Sequence, residues 1–237
     1  MKISNIDTER KKRCGIPEII FGEKDSKDLV KIIKEILNND DSVIITRLDK
    51  TKNEKILNEL NKKNINFKFK YNERGRVLTI YKGKSDGTKE IEIVGKIGII
   101  TAGTSDINVA EEAKETALQL GCEVAEEYDV GIAGLYRAIN AVEKMKKSNV
   151  RCIIVIAGME GALPSVISGL TNIPVIAVPT SVGYGTGEKG LAAIMTMLNS
   201  CTSVAVMNID NGFGAAVMAY KILRINKKNN TKTKVIV

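Results

Sequence analysis

From Gly95 onward the sequence alternates, five times over, an apolar run of β type with a segment of helical spacing. The pairs are Lys96–Thr101 with Asn108–Leu120, Glu123–Glu127 with Leu135–Lys147, Ile153–Ala157 with Pro164–Gly169, Val175–Val178 with Lys189–Leu198, and Val204–Met207 with Gly214–Ile225. No other feature constrains the fold as much. A helix between two strands carries the chain back to the edge it started from, so the strands run parallel and the crossovers right-handed. The pattern predicts an α/β fold with a doubly wound parallel sheet in three layers.

Residues 1–95 read as a smaller α/β domain. A short strand lies between Gly15 and Gly22, followed by a helix over Ser26–Leu37 with Leu29, Ile32, Ile33, Ile36 and Leu37 at helical spacing. A buried strand at Ser42–Thr46, a helix at Thr51–Lys63 and strands at Ile65–Tyr71, Arg76–Tyr81 and Glu90–Val94 complete it, with a turn over Gly83–Gly87. Residues 1–15 are expected to be irregular. The domains are therefore 1–95, 96–225 and a basic tail, 226–237.

Composition narrows the chemistry. The chain has no histidine, so proton transfer falls to Glu, Asp, Lys, Cys, Tyr or water. Its four cysteines, Cys14, Cys122, Cys152 and Cys201, lack CxxC spacing, which argues against a zinc site or a disulfide framework. The net charge of +8 arises from residues 1–96, with 23 Lys and Arg against 16 Asp and Glu, and from the tail. The lysines there interleave with acids, as on a solvated face, so nucleic acid is not the expected partner. No apolar run is long enough to span a membrane and the first residues lack a signal-like apolar core, so a cytoplasmic location is expected.

In an open parallel sheet ligands sit beyond the carboxyl ends of the strands. The loops there are rich in small and polar residues: Ala102–Asp106 (AGTSD), Gly158–Ala162, Pro179–Gly187 (PTSVGYGTG) and Asn208–Gly214. The first fits an anion at a helix start, but on the motif alone an ordinary cap by Ser105 or Asp106 is the favoured reading. Glu160, between Gly158 and Gly161 after a fully apolar strand, is the candidate general base, and partial desolvation is expected for it. The glycine-rich loop is either a lid or a plain connection. Cys122 and Cys152 flank buried strands and read as small hydrophobes. Cys201 has polar neighbours, Asn199, Ser200, Thr202 and Ser203, and is open to either a core or a nucleophilic role. Arg137 reads as a phosphate ligand or a surface cation.

These stretches resemble a known family. AGTSD is similar to the GSxSD loop of the PurE family, the aminoimidazole ribonucleotide carboxylases and mutases, and the segment from IAGMEGALPSVISGL through NIDNGFGAAVMAYKIL follows that family in order and spacing. PurE carries a histidine in its third loop and this chain has none, which argues against purine biosynthesis. RKKRCGIPEIIFG, TAGTSDINVAEEA, YDVGIAGLYR, PVIAVPTSVGYG, GLAAIMTMLNSC and NIDNGFGAA resemble the LarB-type branch, the pyridinium-3,5-biscarboxylic acid mononucleotide synthases of nickel-pincer cofactor biosynthesis. That likeness runs from Arg10 to about Ile225 and includes the N-terminal domain.

The resemblance implies a PurE/flavodoxin-like sheet and a reaction of nicotinic acid adenine dinucleotide with CO2 and water. The products are the biscarboxylated mononucleotide and AMP. It implies that Cys201 is a covalent nucleophile, that Glu160 is the base, and that Mg2+ assists phosphoanhydride cleavage with no organic cofactor. Gly103, Thr104, Ser105, Asp106 and Arg137 would hold phosphate and ribose. Gly158, Ser181, Gly183, Tyr184, Asn208 and Asn211 would surround the ring, and Arg10 and Arg13 would meet anionic substrate. It also implies a homo-oligomer.

Overall fold

The computed structural model describes residues 6–7, 9–63, 65–83, 90–226 and 234–236. The chain divides into two compact units, Met1–Glu90 with Ile236–Val237, and Ile91–Val235.

The first unit opens with a short helix, α1 (Arg10–Cys14), where irregular chain was expected. It stops at Gly15, whose φ of 78° suits the left-handed position that ends a helix and whose N–H donates to the Lys11 carbonyl. Then follow β1 (Ile19–Phe21), α2 (Ser26–Asn39), β2 (Ser42–Thr46), α3 (Lys50–Lys62), β3 (Phe67–Asn72) and β4 (Val77–Lys82). The sheet order is β1-β2-β4-β3, with β1 parallel to β2 and the other pairs antiparallel. Both long helices start where an aspartate accepts a backbone N–H: Asp25 from Lys27 and Asp49 from Lys52, each at 2.8 Å. The expected face of α2 is the buried one, with Leu29, Ile33 and Ile36 against Ile45, Leu78 and Ile80 of the sheet. The turn expected over Gly83–Gly87 lies, beyond Gly83, outside the described residues.

After β5 (Glu90–Glu92) the second unit runs β6 (Gly95–Thr101), α4 (Ile107–Gln119), β7 (Cys122–Glu127), α5 (Leu135–Lys147), β8 (Ile153–Ala157), α6 (Leu163–Gly169), β9 (Val175–Pro179), α7 (Leu191–Leu198), β10 (Val204–Val206) and α8 (Gly212–Asn226). All five strands from β6 are parallel, in the order β10-β9-β8-β6-β7. Ile153–Val155 and Val175–Ala177 are wholly apolar and buried, as a sheet covered on both faces requires. Helices α5, α6 and α7 cover one face through Ala138, Ala141, Met145, Ile167, Ala193 and Met197. Helices α4 and α8 pack together on the other. The chain leaves β6 for β7 on one side and returns to β8 on the other. The loops after β6 and β8 therefore diverge and open a crevice at the carboxyl edge.

Two expected boundaries shift for a local reason. Helix α7 starts at Leu191 rather than Lys189, because Lys189 (φ 61°) and Gly190 (φ 76°) are left-handed. Helix α8 starts at Gly212, two residues early. A Cβ there would lie 3.1 Å from the Ala113 nitrogen and 3.2 Å from Glu112 Oε2, so only glycine lets α8 meet α4 so closely.

Candidate active site

The crevice holds a cleft of about 240 Å3 lined by residues of the loops after β6, β7, β8 and β9. Its walls are small and apolar: Ala102, Ile132, Ala133, Ala157, Met159, Ala162, Leu163 and Val182. Its polar side chains are Ser105, Asp106 and Glu160, and among the described residues no lysine or arginine lines it.

Asp106 organises the cleft from beneath. It is 3 % exposed, and neither carboxylate oxygen is open to solvent partners alone: Oδ1 accepts the Thr180 hydroxyl at 2.7 Å and Oδ2 the Gly103 N–H at 2.9 Å. Burial pushes its pKa above the ordinary value, and the bonds from Thr180, Gly103 and the Gly158 N–H oppose that rise. Asp106 thus caps the helical turn after β6, as one reading of the sequence expected, and also clamps the loops that follow β6, β8 and β9 together. Thr180, itself fully buried, is the partner that sequence reasoning missed. Its only local signal is its place after the strand-ending Pro179.

The loop after β8 is fixed on its other side. The Met159 N–H donates to the Val182 carbonyl at 3.0 Å, and Met159 adopts φ 53°. Gly161, at φ 66°, brings the backbone against Ala193 of α7, where a Cβ would approach to 2.8 Å. Glu160 is presented between these anchors and is exposed. The desolvation expected from the apolar strand before it is not supplied, because the strand ends three residues earlier and the loop turns outward.

The remaining expected residues fall into three groups. Gly103, Ser105, Asp106, Gly158 and Glu160 line the cleft. Ser181, Gly183 and Tyr184 lie on the β9 loop around Val182 but do not themselves line the cleft; the Ser181 N–H donates to Asp210 Oδ1 at 2.8 Å and Tyr184 is 78 % exposed. Thr104, Asn208 and Asn211 do not line it: Asn208 Oδ1 accepts the Ile209 N–H and Asn211 Oδ1 caps α8 at Gly214. Arg137 does not reach in either. Its guanidinium turns back along the loop after β7, donating to the Asp129 carbonyl at 2.9 Å and pairing with that carboxylate at 3.4 Å. In the first unit Arg13 pairs with Asp7.

Cys201 is exposed and stands apart from the cleft. It lies before β10, at the amino-terminal side of a parallel strand, whereas the cleft lies beyond the carboxyl ends of its neighbours. Its turn is anchored to α6 by the Ser165 hydroxyl, which donates to Ser200 Oγ at 2.7 Å. Cys122 and Cys152 are buried as expected, and burial pushes each thiol up to about 12, so both stay protonated at neutral pH. Brief alkylation of the native chain with iodoacetamide is therefore expected to modify Cys14 and Cys201. Peptide mass spectrometry should find Cys122 and Cys152 modified only after unfolding.

Among the described residues no three His, Cys, Asp or Glu side chains converge as a metal cage. Asp106 and Glu160 are the acidic side chains that line the cleft, and Asp106 is already engaged by Thr180 and Gly103.

A family model described as AIR carboxylase matches residues 96–236, and one described as LarB/PurE-like N-terminal domain matches residues 1–82. The uncharacterized protein MJ0165 of Methanocaldococcus jannaschii is 44% identical over 226 residues, 94% of this chain and 85% of that protein. The N5-carboxyaminoimidazole ribonucleotide mutase of the same organism is 34% identical over 139 residues, 57% of this chain and 83% of the mutase. Among solved structures, Treponema denticola PurE aligns with a TM-score of 0.49 at 22% identity, over 56% of this chain and 83% of that one.

Proposed function

The chain belongs to the AIR carboxylase family and carries a LarB/PurE-like N-terminal domain, and on that premise we propose that it carboxylates the pyridinium ring of nicotinic acid adenine dinucleotide and releases AMP. The observation that carries this reading is the lining of the cleft. The flat ring and its cationic nitrogen suit apolar walls with two acids, and among the described residues no lysine or arginine lines the cleft to hold a phosphate there. The chemistry also runs without histidine, which the whole chain lacks.

In this reading a thiolate, that of Cys201, adds to C6 of the electron-poor ring. The new C–S bond ends the aromaticity and makes C5 enamine-like, so its electron pair forms a C–C bond to CO2. Glu160 takes the C5 proton, the electron pair of that C–H bond re-forms the ring, and the C–S bond breaks to release thiolate. Water cleaves the phosphoanhydride to give AMP and the mononucleotide. No step is assigned to Mg2+, which would meet the substrate's phosphates rather than a cage of protein ligands.

Since Cys201 lies outside the cleft of its own chain, the reading requires the thiol of a second copy. Support comes from α7, which exposes Leu191, Met195 and Leu198 on one face and ends three residues before Cys201. Association through that face would bring the thiol with it.

Chromatography with mass spectrometry tests the reading. Purified chain given nicotinic acid adenine dinucleotide, bicarbonate and Mg2+ should form AMP and a mononucleotide heavier by one carboxylate. Incorporation of label from 13C-bicarbonate should be absent in Cys201→Ala. The likeness to the ribonucleotide mutase favours a second reading, a carboxylase or mutase of an aminoimidazole ribonucleotide. Turnover of that substrate, with none of the dinucleotide, would select it.

A further inference from the structure

The first unit has its own ligand-type edge. Strands β1 and β2 are parallel and end level, Phe21 beside Thr46, and the β3–β4 hairpin turns at the same edge, since Leu78 pairs with both Ile45 and Tyr71. Three loops therefore meet there: 22–25, 47–49 and 73–76. They carry Arg47, Arg74 and Arg76, three of the eight arginines in the chain. Arginine, unlike lysine, offers a planar fork that matches a phosphate.

These loops are rigidly interlocked. The Leu48 N–H donates to the Arg76 carbonyl at 2.9 Å, and Arg76 Nη2 donates to the Arg47 carbonyl at 3.1 Å. The Tyr71 hydroxyl donates to the Leu48 carbonyl at 2.8 Å. Lys52 gathers the β1–α2 loop by donating to the Gly22, Glu23 and Lys24 carbonyls. Arg47 and Arg76 both hold left-handed backbone, φ 54° and 55°, a conformation a non-glycine residue keeps only where its surroundings impose it. Of the four carboxylates in the loops, Asp25 and Asp49 accept helix N–H groups and Glu73 pairs with Lys50.

An aromatic face sits among the cations. Phe21 is 43 % exposed, and the Arg47 guanidinium stands 5.6 Å from its ring centroid. Arg74 and Arg76 are exposed on the hairpin turn at the same edge, where Arg76 reaches the Arg47 carbonyl. We propose that this edge binds a nucleoside monophosphate, its phosphate on Arg74 and Arg76 and its base against the Phe21–Arg47 platform.

The probe is AMP, measured on the full-length chain by equilibrium dialysis. Arg74→Ala combined with Arg76→Ala is expected to weaken binding about tenfold or more, since charge-assisted phosphate contacts are lost. Phe21→Ala should weaken AMP but leave ribose 5-phosphate unchanged, because only AMP has a base to stack. The substituted side chains are exposed, and unchanged circular dichroism would confirm that the variants fold. Binding that all three substitutions leave intact would overturn the proposal, as would no binding at millimolar AMP. The proposal rests on the first unit alone. Labelled product from the wild-type chain without AMP binding at this edge would defeat it and leave the carboxylation reading standing.

Discussion

Chains carrying Glu160→Gln and chains carrying Cys201→Ala, each inactive alone, are expected to regain activity when co-expressed and purified as a mixed assembly. On the proposed mechanism the first substitution removes a proton acceptor worth about 100-fold or more in rate, and the second removes the thiol that adds to the ring. If each site takes its carboxylate from one copy and its thiol from another, a mixed pair contains one site with both groups intact. Random mixing in equal amounts then restores about a quarter of the wild-type sites. The tagged mixture should be assayed for 13C incorporation beside each parent. No recovery would mean that both groups act within one chain, which contradicts a thiol at the amino-terminal side of β10 and a cleft at the carboxyl edge.

Gly158→Ala is expected to cost both stability and activity. A Cβ at this position would overlap the Val182 carbonyl oxygen and lie 2.6 Å from Thr180 Oγ1. Neither neighbour can yield cheaply. The Val182 carbonyl holds the Met159 N–H, and the Thr180 hydroxyl, fully buried, holds Asp106. The loops after β8 and β9 must part, and overpacking of this kind costs about 1–3 kcal/mol. Urea unfolding of the full-length chain should show the loss, together with a fall in turnover. A Gly158→Ala chain as stable as wild type would contradict the close approach of these loops.

The elements of the fold were legible because their signals are local. The face of α2 is spelled by Leu29, Ile33 and Ile36, and the covered sheet by the unbroken apolar run Ile153–Ala157. What escaped was where backbone conformation departs from propensity. Lys189 is left-handed and cuts short a helix that its sequence would continue, and Gly15 closes a helix in a stretch too charged to suggest one. The site was legible in part. Gly158, Glu160 and most of the AGTSD loop line the cleft, and small residues after an apolar strand are what marks that carboxyl edge in the sequence.

By itself the sequence determined the class of fold, the order of its strands and helices, and the absence of imidazole chemistry. Each of these depends on residue type and on spacing within a few positions. Only the tertiary structure decided what the polar residues do. Asp106 is a clamp because Thr180, 74 residues away, is brought beneath the same cleft. Arg137 is withdrawn because Asp129 lies beside it across a turn. Cys201 is parted from Glu160 because parallel strands send the two ends of each strand to opposite edges of the sheet. Strand order sets these distances, and strand order is fixed by the burial of the whole sheet rather than by any residue near the site.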